Sequence, residues 1–124
     1  MKKYLLILLV AVLGFGFTGC KKKPAATLNV TVLDAFSETT PISGIDVCVF
    51  TSYEWENELH VMSNALYHQA TDNYGVASFK IDGFWLNEKG STMYCTTMDA
   101  KGAPVSYKQV IVKPGETSEV TLLD

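Results

Sequence analysis

Apolar residues are distributed in two different ways along this chain. Tyr4 to Leu13 is an unbroken apolar run of ten residues behind Lys2 and Lys3. From Thr27 onward, apolar and polar residues alternate in short runs with turn residues between them. Alternation predicts strands, because successive side chains of a strand point to opposite faces. Leu28, Val30 and Val32 share one face of a first strand, with Asn29 and Thr31 opposite. Pro41-Ile42-Ser43-Gly44 is a turn, and Ile45, Val47 and Val49 share a face of the second strand. Tyr53 to Ser63 is a polar, aromatic connection with room for a short helical turn. A third strand spans Ala65 to Thr71. Asp72-Asn73-Tyr74-Gly75 is the strongest hairpin signal, since Asn and Asp tolerate the left-handed conformation and Gly supplies positive φ without steric conflict. Ala77, Phe79 and Ile81 alternate on the fourth strand. A fifth covers Thr92 to Met98 and a sixth Val105 to Val112, and Val120 and Leu122 face inward from the last. Asp99-Ala100-Lys101-Gly102 and Pro114-Gly115 turn the chain between these. Seven short strands, with no long helix and no internal repeat, predict an all-β fold: a seven-stranded antiparallel Greek-key β-sandwich.

The front segment has a positive start, a short apolar run and a small-residue end, which is the secretory pattern. Ten apolar residues fall short of the roughly 20 that a transmembrane helix needs. Phe17-Thr18-Gly19-Cys20 resembles a bacterial lipoprotein signal. Small residues such as Thr18 and Gly19 fit the peptidase pocket, and the Cys20 thiol can take a diacylglyceryl thioether. Phe17 stands where the family usually has Leu. The resemblance implies a signal peptide over 1–19, a lipidated cysteine and linker over 20–26, and a β-sandwich domain over 27–124. Acyl chains of the palmitate class would then anchor the chain, because two or three of them hold where one alone does not. The other reading is an ordinary secretory signal with an incidental cysteine.

Without Lys2 and Lys3, eight lysines face thirteen acidic residues, a net charge of −5, and the chain has no arginine. Nucleic-acid binding needs a basic patch and favours arginine for base contacts, so it is excluded. The basic run Lys21-Lys22-Lys23 lies beside Cys20. It reads as a solvated spacer, with a modest attraction to anionic lipid as the alternative. Surface-exported lipoproteins of some gut anaerobes carry acidic residues at this place. Their export signal is absent here, which favours a periplasm-facing position in the outer membrane. The linker before Thr27 can reach about 20 Å at roughly 3.5 Å per residue.

Pro41-Ile42-Ser43-Gly44-Ile45-Asp46-Val47, Ala70-Thr71-Asp72-Asn73-Tyr74-Gly75-Val76-Ala77-Ser78-Phe79, Ile111-Val112-Lys113-Pro114-Gly115 and Val120-Thr121-Leu122 look like carboxypeptidase-regulatory-like domains. The resemblance implies a transthyretin/Ig-like sandwich over nearly all of Thr27 to Asp124. Its motifs are strands and turns, so they carry fold and say little of function. The connection over residues 53 to 65 is longer than the family pattern usually has. The transthyretin-like hydroxyisourate hydrolases end in Tyr-Arg-Gly-Ser, whereas this chain ends Thr-Leu-Leu-Asp. Related adhesin domains bond a first-strand lysine to a last-strand asparagine. Thr27 to Leu33 holds no lysine and Ser118 to Leu123 no asparagine, so no isopeptide crosslink is expected.

No nucleophile elbow, zinc-protease motif, phosphate-cradling glycine loop or Cys-x-x-Cys is present, so no catalytic residue, cofactor or enzyme activity is expected. His60 and His68 lack metal spacing and read as ordinary polar residues. Asp72, Asn73 and Asp99 could gather around calcium, but turns explain the same residues. Cys48 and Cys95 lie on predicted strands that transthyretin-like topology could set side by side. They form a disulfide or remain two buried thiols. If each strand reverses direction, the second-to-third connection and the fourth-to-fifth loop share the end from which the tether leaves. That end would gather Tyr53, Trp55, Phe84 and Trp85, with Glu54, Glu56 and Glu58 alongside. These rings either recognise a ligand or partner or cap the open end of the core. The expected function is a lipid-anchored cell-envelope protein whose non-catalytic sandwich binds or assembles with an envelope partner. The alternative is a carbohydrate-binding module that stacks sugar on the tether-side aromatics.

Overall fold

The computed structural model describes residues 23–59 and 61–124. Its seven strands are β1 (Ala26–Leu33), β2 (Asp46–Thr51), β3 (Tyr67–Ala70), β4 (Val76–Ile81), β5 (Ser91–Met98), β6 (Pro104–Val112) and β7 (Thr117–Leu123). They form a three-stranded sheet in the order β4-β1-β7 and a four-stranded sheet in the order β3-β2-β5-β6. Leu28, Val30 and Val32 of β1 and Ala77, Phe79 and Ile81 of β4 enter the space between the sheets. Val47, Val49, Met93, Cys95 and Val112 meet them from the opposite sheet. The alternation in the sequence is thus the alternation between core and solvent.

Two pairings differ from expectation. β7 runs parallel to β1, with Val30 opposite Val120, while the other pairings are antiparallel. The Pro114-Gly115 turn carries the chain from one sheet to the other, so β7 reaches β1 running in the same direction. Parallel neighbours need such an out-of-plane connection. Asp72-Asn73-Tyr74-Gly75 is likewise a crossover and not a hairpin, because β3 and β4 belong to different sheets. Its local geometry is as expected: Gly75 has φ +74, and the Asp72 carboxylate accepts from the Tyr74 and Val76 amides at 2.9 and 3.0 Å.

The third strand is shorter than expected because its flanks are used otherwise. Thr71 is buried, and its hydroxyl accepts from the Ile45 amide at 3.0 Å and donates to the Ile42 carbonyl at 2.7 Å. Thr71 therefore locks the β1–β2 loop to the crossover. The last residues before β1 are docked on the domain. Pro24 packs on Gly115, and the Ala25 carbonyl accepts from the Gly115 amide at 3.2 Å. A Cβ on Gly83 would fall 2.0 Å from the Lys23 carbonyl oxygen, so only glycine permits that approach. Lys23 to Ala25 is thus laid along the domain, leaving Lys21 and Lys22 between it and Cys20.

Candidate functional site

β2 and the second half of β5 are buried on both faces. Val47 and Val49 face the inter-sheet core, while Cys48 and Phe50 point to the outer side and are equally buried. Their cover is the long connection after β2. It begins as α1 (Ser52–Glu56), continues through a 3-10 turn at Met62–Asn64, and lays Trp55, Met62 and Ala65 on Cys48, Phe50 and Met98. The Met62 amide donates to the Gly102 carbonyl at 3.3 Å, tying the connection to the β5–β6 turn. Burying a side chain the size of Phe50 contributes about 1.5–3 kcal/mol. The unbroken apolar run Val47-Cys48-Val49-Phe50 is the sequence signal for a strand covered on both sides. The period-two component of that run marks Val47 and Val49 alone and leaves out Cys48 and Phe50 on the other face.

The exposed rim of this cover is aromatic. Trp55 lies flat on Tyr94, with centroids 4.9 Å apart and planes at 6°. Tyr107 meets it at 4.7 Å and 47°, and Phe50 closes from beneath at 6.0 Å. Tyr53, on the same helical turn, is 68% exposed. β6 is an edge strand of its sheet, and its outer face carries Tyr107 and Ile111 with Gln109 between them; Val105 stands at the register irregularity near its start, and Val105, Tyr107 and Ile111 are each more than half exposed. Next to the same face is an open groove of about 610 Å³ lined by Val61, Met62, Ser63, His68 and Lys101. Together these make an apolar surface beside a strand edge with no further strand paired to it, where the Ile111 carbonyl accepts from the Ser118 hydroxyl at 3.5 Å, and such a surface suits partner binding.

Phe84 and Trp85 form a separate pair. They belong to a 3-10 turn, Gly83–Trp85, at the tether side of β4, and stand edge to face at 5.1 Å and 88°. The Asp82 carboxylate accepts from the Phe84 amide at 2.9 Å, and the Asp82 amide donates to the Tyr67 hydroxyl at 3.0 Å. Phe84 is 76% and Trp85 43% exposed. The single aromatic end expected from the sequence is therefore two groups. Tyr53 and Trp55 follow β2 to the tether side, but the apolar outer face of the sheet draws the indole over Tyr94. Glu54 is engaged locally by the Thr51 hydroxyl.

Cys48 and Cys95 are free thiols. They sit on adjacent strands, but the register sets Cys48 opposite Thr96 and Cys95 opposite Val49. One thiol points outward and the other into the core, so the possible disulfide is ruled out by the pleat. Burial pushes both thiols up to about 12, helped at Cys48 by the charge of Asp46. Asp72 and Asp99 each spend a carboxylate oxygen on two amides of their own turn. Among the described residues no group of three or more His, Cys, Asp and Glu is placed to hold a metal ion. Cys20 and His60 lie outside the described residues.

The chain is similar to part of the solved structure of the Bacillus anthracis TIE protein, with a TM-score of 0.58 and 15% sequence identity. The fold is transthyretin-like. The match covers 82% of this chain and 17% of that one, so the chain corresponds to a small part of a much longer protein. No protein-family model matches the chain, and neither does any curated protein.

Proposed function

We propose that the chain is a lipid-anchored cell-envelope protein, held in the outer membrane facing the periplasm, whose sandwich is a non-catalytic binding or assembly module. The working surface is the outer face of the four-stranded sheet. The observation that carries this reading is the exposure of Tyr107 and Ile111 on the outer face of the edge strand β6, with Tyr107 packed on Trp55 and Trp55 on Tyr94. An envelope protein can dock there through apolar contacts and strand pairing. The anchor rests on Thr18-Gly19-Cys20 and the short apolar run before it. Carboxypeptidase-regulatory-like domains remain the family the strand and turn motifs resemble. A second reading, carbohydrate binding, draws on the same Trp55, Tyr94 and Tyr107 rings, on which a sugar ring could stack.

The test pairs stability with capture. Ile111→Lys alters an exposed side chain and should move the urea midpoint by the equivalent of about 0.5 kcal/mol or less. It should nevertheless abolish capture of a partner from native membranes. Trp55→Ala removes part of the outer cluster's cover and should cost on the order of 2–4 kcal/mol. Binding of Ile111→Lys at wild-type strength refutes the β6 surface. Binding on a glycan array that Tyr107→Ala abolishes establishes the carbohydrate reading instead. Intact mass of the membrane-purified chain should show an acylated Cys20, and membrane recovery of Cys20→Ser at wild-type level refutes the anchor.

A further inference from the structure

We propose that the tether-side end of the sandwich rests on the bilayer, with Phe84 and Trp85 entering the headgroup region of an anionic phospholipid membrane. This inference rests on the lipid anchor at Cys20 and adds the orientation of the domain above it. The first support is reach. Lys23 to Ala25 is packed along the domain, and the span from Cys20 to Lys23 can reach at most about 11 Å at full extension. An acylated Cys20 therefore holds Lys23 within about that distance of the membrane surface. Gly83 is in contact with Lys23, so the Gly83–Trp85 turn is held there with it.

The second support is the chemistry of what the tether brings down. Phe84 and Trp85 are exposed, yet their turn is held by the Asp82 carboxylate and joined to Tyr67. The Trp85 indole, apolar with one N–H, suits the headgroup layer, and Phe84 adds apolar surface beside it. Beside them Lys23 and Lys80, with Tyr67 and Asp82, line a shallow cavity of about 300 Å³. Lys21 and Lys22 adjoin this site in sequence. Lysines so placed are attracted to anionic headgroups.

The third support is the opposite end. Phe36 and Tyr74 are exposed there too, so exposure alone does not select an end. That end, however, carries Asp34, Glu38, Asp46, Asp72, Asp99 and Asp124, with Lys101 as its only lysine among the described residues. An anionic surface repels it. The tether side carries acidic groups as well, Glu54 and Glu56 of α1 with Asp82, Glu88 and Glu116, but there Lys23, Lys80, Lys89 and Lys113 offset them. The β6 face then stands upright from the membrane and stays open to a partner.

The experiment uses the full, membrane-purified chain in vesicles of phosphatidylethanolamine and phosphatidylglycerol, with and without brominated acyl chains. Trp55→Phe leaves Trp85 as the sole tryptophan. Its emission should shift to the blue on the vesicles and be mostly lost with brominated lipid. The Trp85→Phe chain, reporting on Trp55, should keep its emission. Hydrogen exchange on the unaltered chain gives a reading that needs no variant: amides 83–87 should slow on vesicles, and amides 72–75 should not change. An acylated chain that floats with the vesicles while Trp85 is unquenched, or is shielded only by protein, overturns the docking and leaves the anchor intact. A chain with no acyl mass that stays in solution overturns the anchor, and the docking falls with it.

Discussion

Gly75 and Gly102 allow backbone strain to be separated from tertiary crowding. Each ends an Asp-x-x-Gly turn in which the Gly amide donates to the Asp carbonyl at 3.0 Å. Their φ angles are +74 and +78. A Cβ at Gly102 would meet only Met62 Cβ at 3.5 Å, an ordinary contact. A Cβ at Gly75 would fall 2.8 Å from Pro41 Cβ and 2.9 Å from the Val32 carbonyl oxygen. That oxygen already accepts from the Ile42 amide at 3.0 Å, and the Val32 amide donates to the Gly75 carbonyl at 2.8 Å. The crossover, β1 and the β1–β2 loop are thus bonded through the space a methyl group would fill. Gly102→Ala should cost about 1–2 kcal/mol, the left-handed penalty for an L-residue. Gly75→Ala adds overpacking of about 1–3 kcal/mol, for a total of about 2–5 kcal/mol. With a urea slope of about 1–3 kcal/mol per molar, the Gly75 midpoint should fall well below that of Gly102→Ala. Urea denaturation of the two variants beside wild type measures the difference. Equal midpoint shifts would refute the crowding argument and reduce Gly75 to its φ angle.

Thr71→Val keeps the shape of the side chain but strands the Ile45 amide and the Ile42 carbonyl, so it should lower stability by about 1–3 kcal/mol, while Thr31→Val on the three-stranded sheet should change little. The two thiols should resist maleimide in the native chain and both react after unfolding; reaction of neither in urea would restore the disulfide. Their raised values also set a sign. Above the ordinary thiol value of 9.0 the unfolded chain releases protons that the folded chain keeps until about 12, so stability falls as pH rises through that window. At pH 10 the loss should be about 1 kcal/mol per thiol, and Cys95→Ala should remove its share of the slope between pH 8 and 10.

The strands and turns were legible in the sequence because their causes are local. Leu28, Val30 and Val32, or Ala77, Phe79 and Ile81, alternate because one face must be dry and the other wet. Asp72 to Gly75 bends because the Asp carboxylate reaches two amides within its own turn and Gly accepts positive φ. What such a turn joins is not a local matter. Asp99 to Gly102 makes the same bonds and closes a hairpin between β5 and β6, whereas Asp72 to Gly75 sends the chain to the other sheet. The difference lies in whether the next strand finds its dry face beside β3 or beside β1, and the core on both sides of the turn decides that.

The site residues divide in the same way. Aromatic content and position in loops marked Tyr53, Trp55, Phe84 and Trp85 as residues of interest. Their separation into two groups follows from Cys48 and Phe50, whose outward faces are covered by Trp55, Met62 and Ala65 together with Tyr94. Cys48 and Cys95 sit in neighbouring strands, but a shift of one residue in register decides which face each thiol takes. Sequence by itself determined an all-β chain, its punctuation and its segregation of apolar side chains, since these follow from bonds and contacts within a few residues. Register, the parallel β1–β7 pair, the folded-back connection and the docked linker were decided only by the tertiary structure, because each depends on which distant surface is left dry once the two sheets have closed.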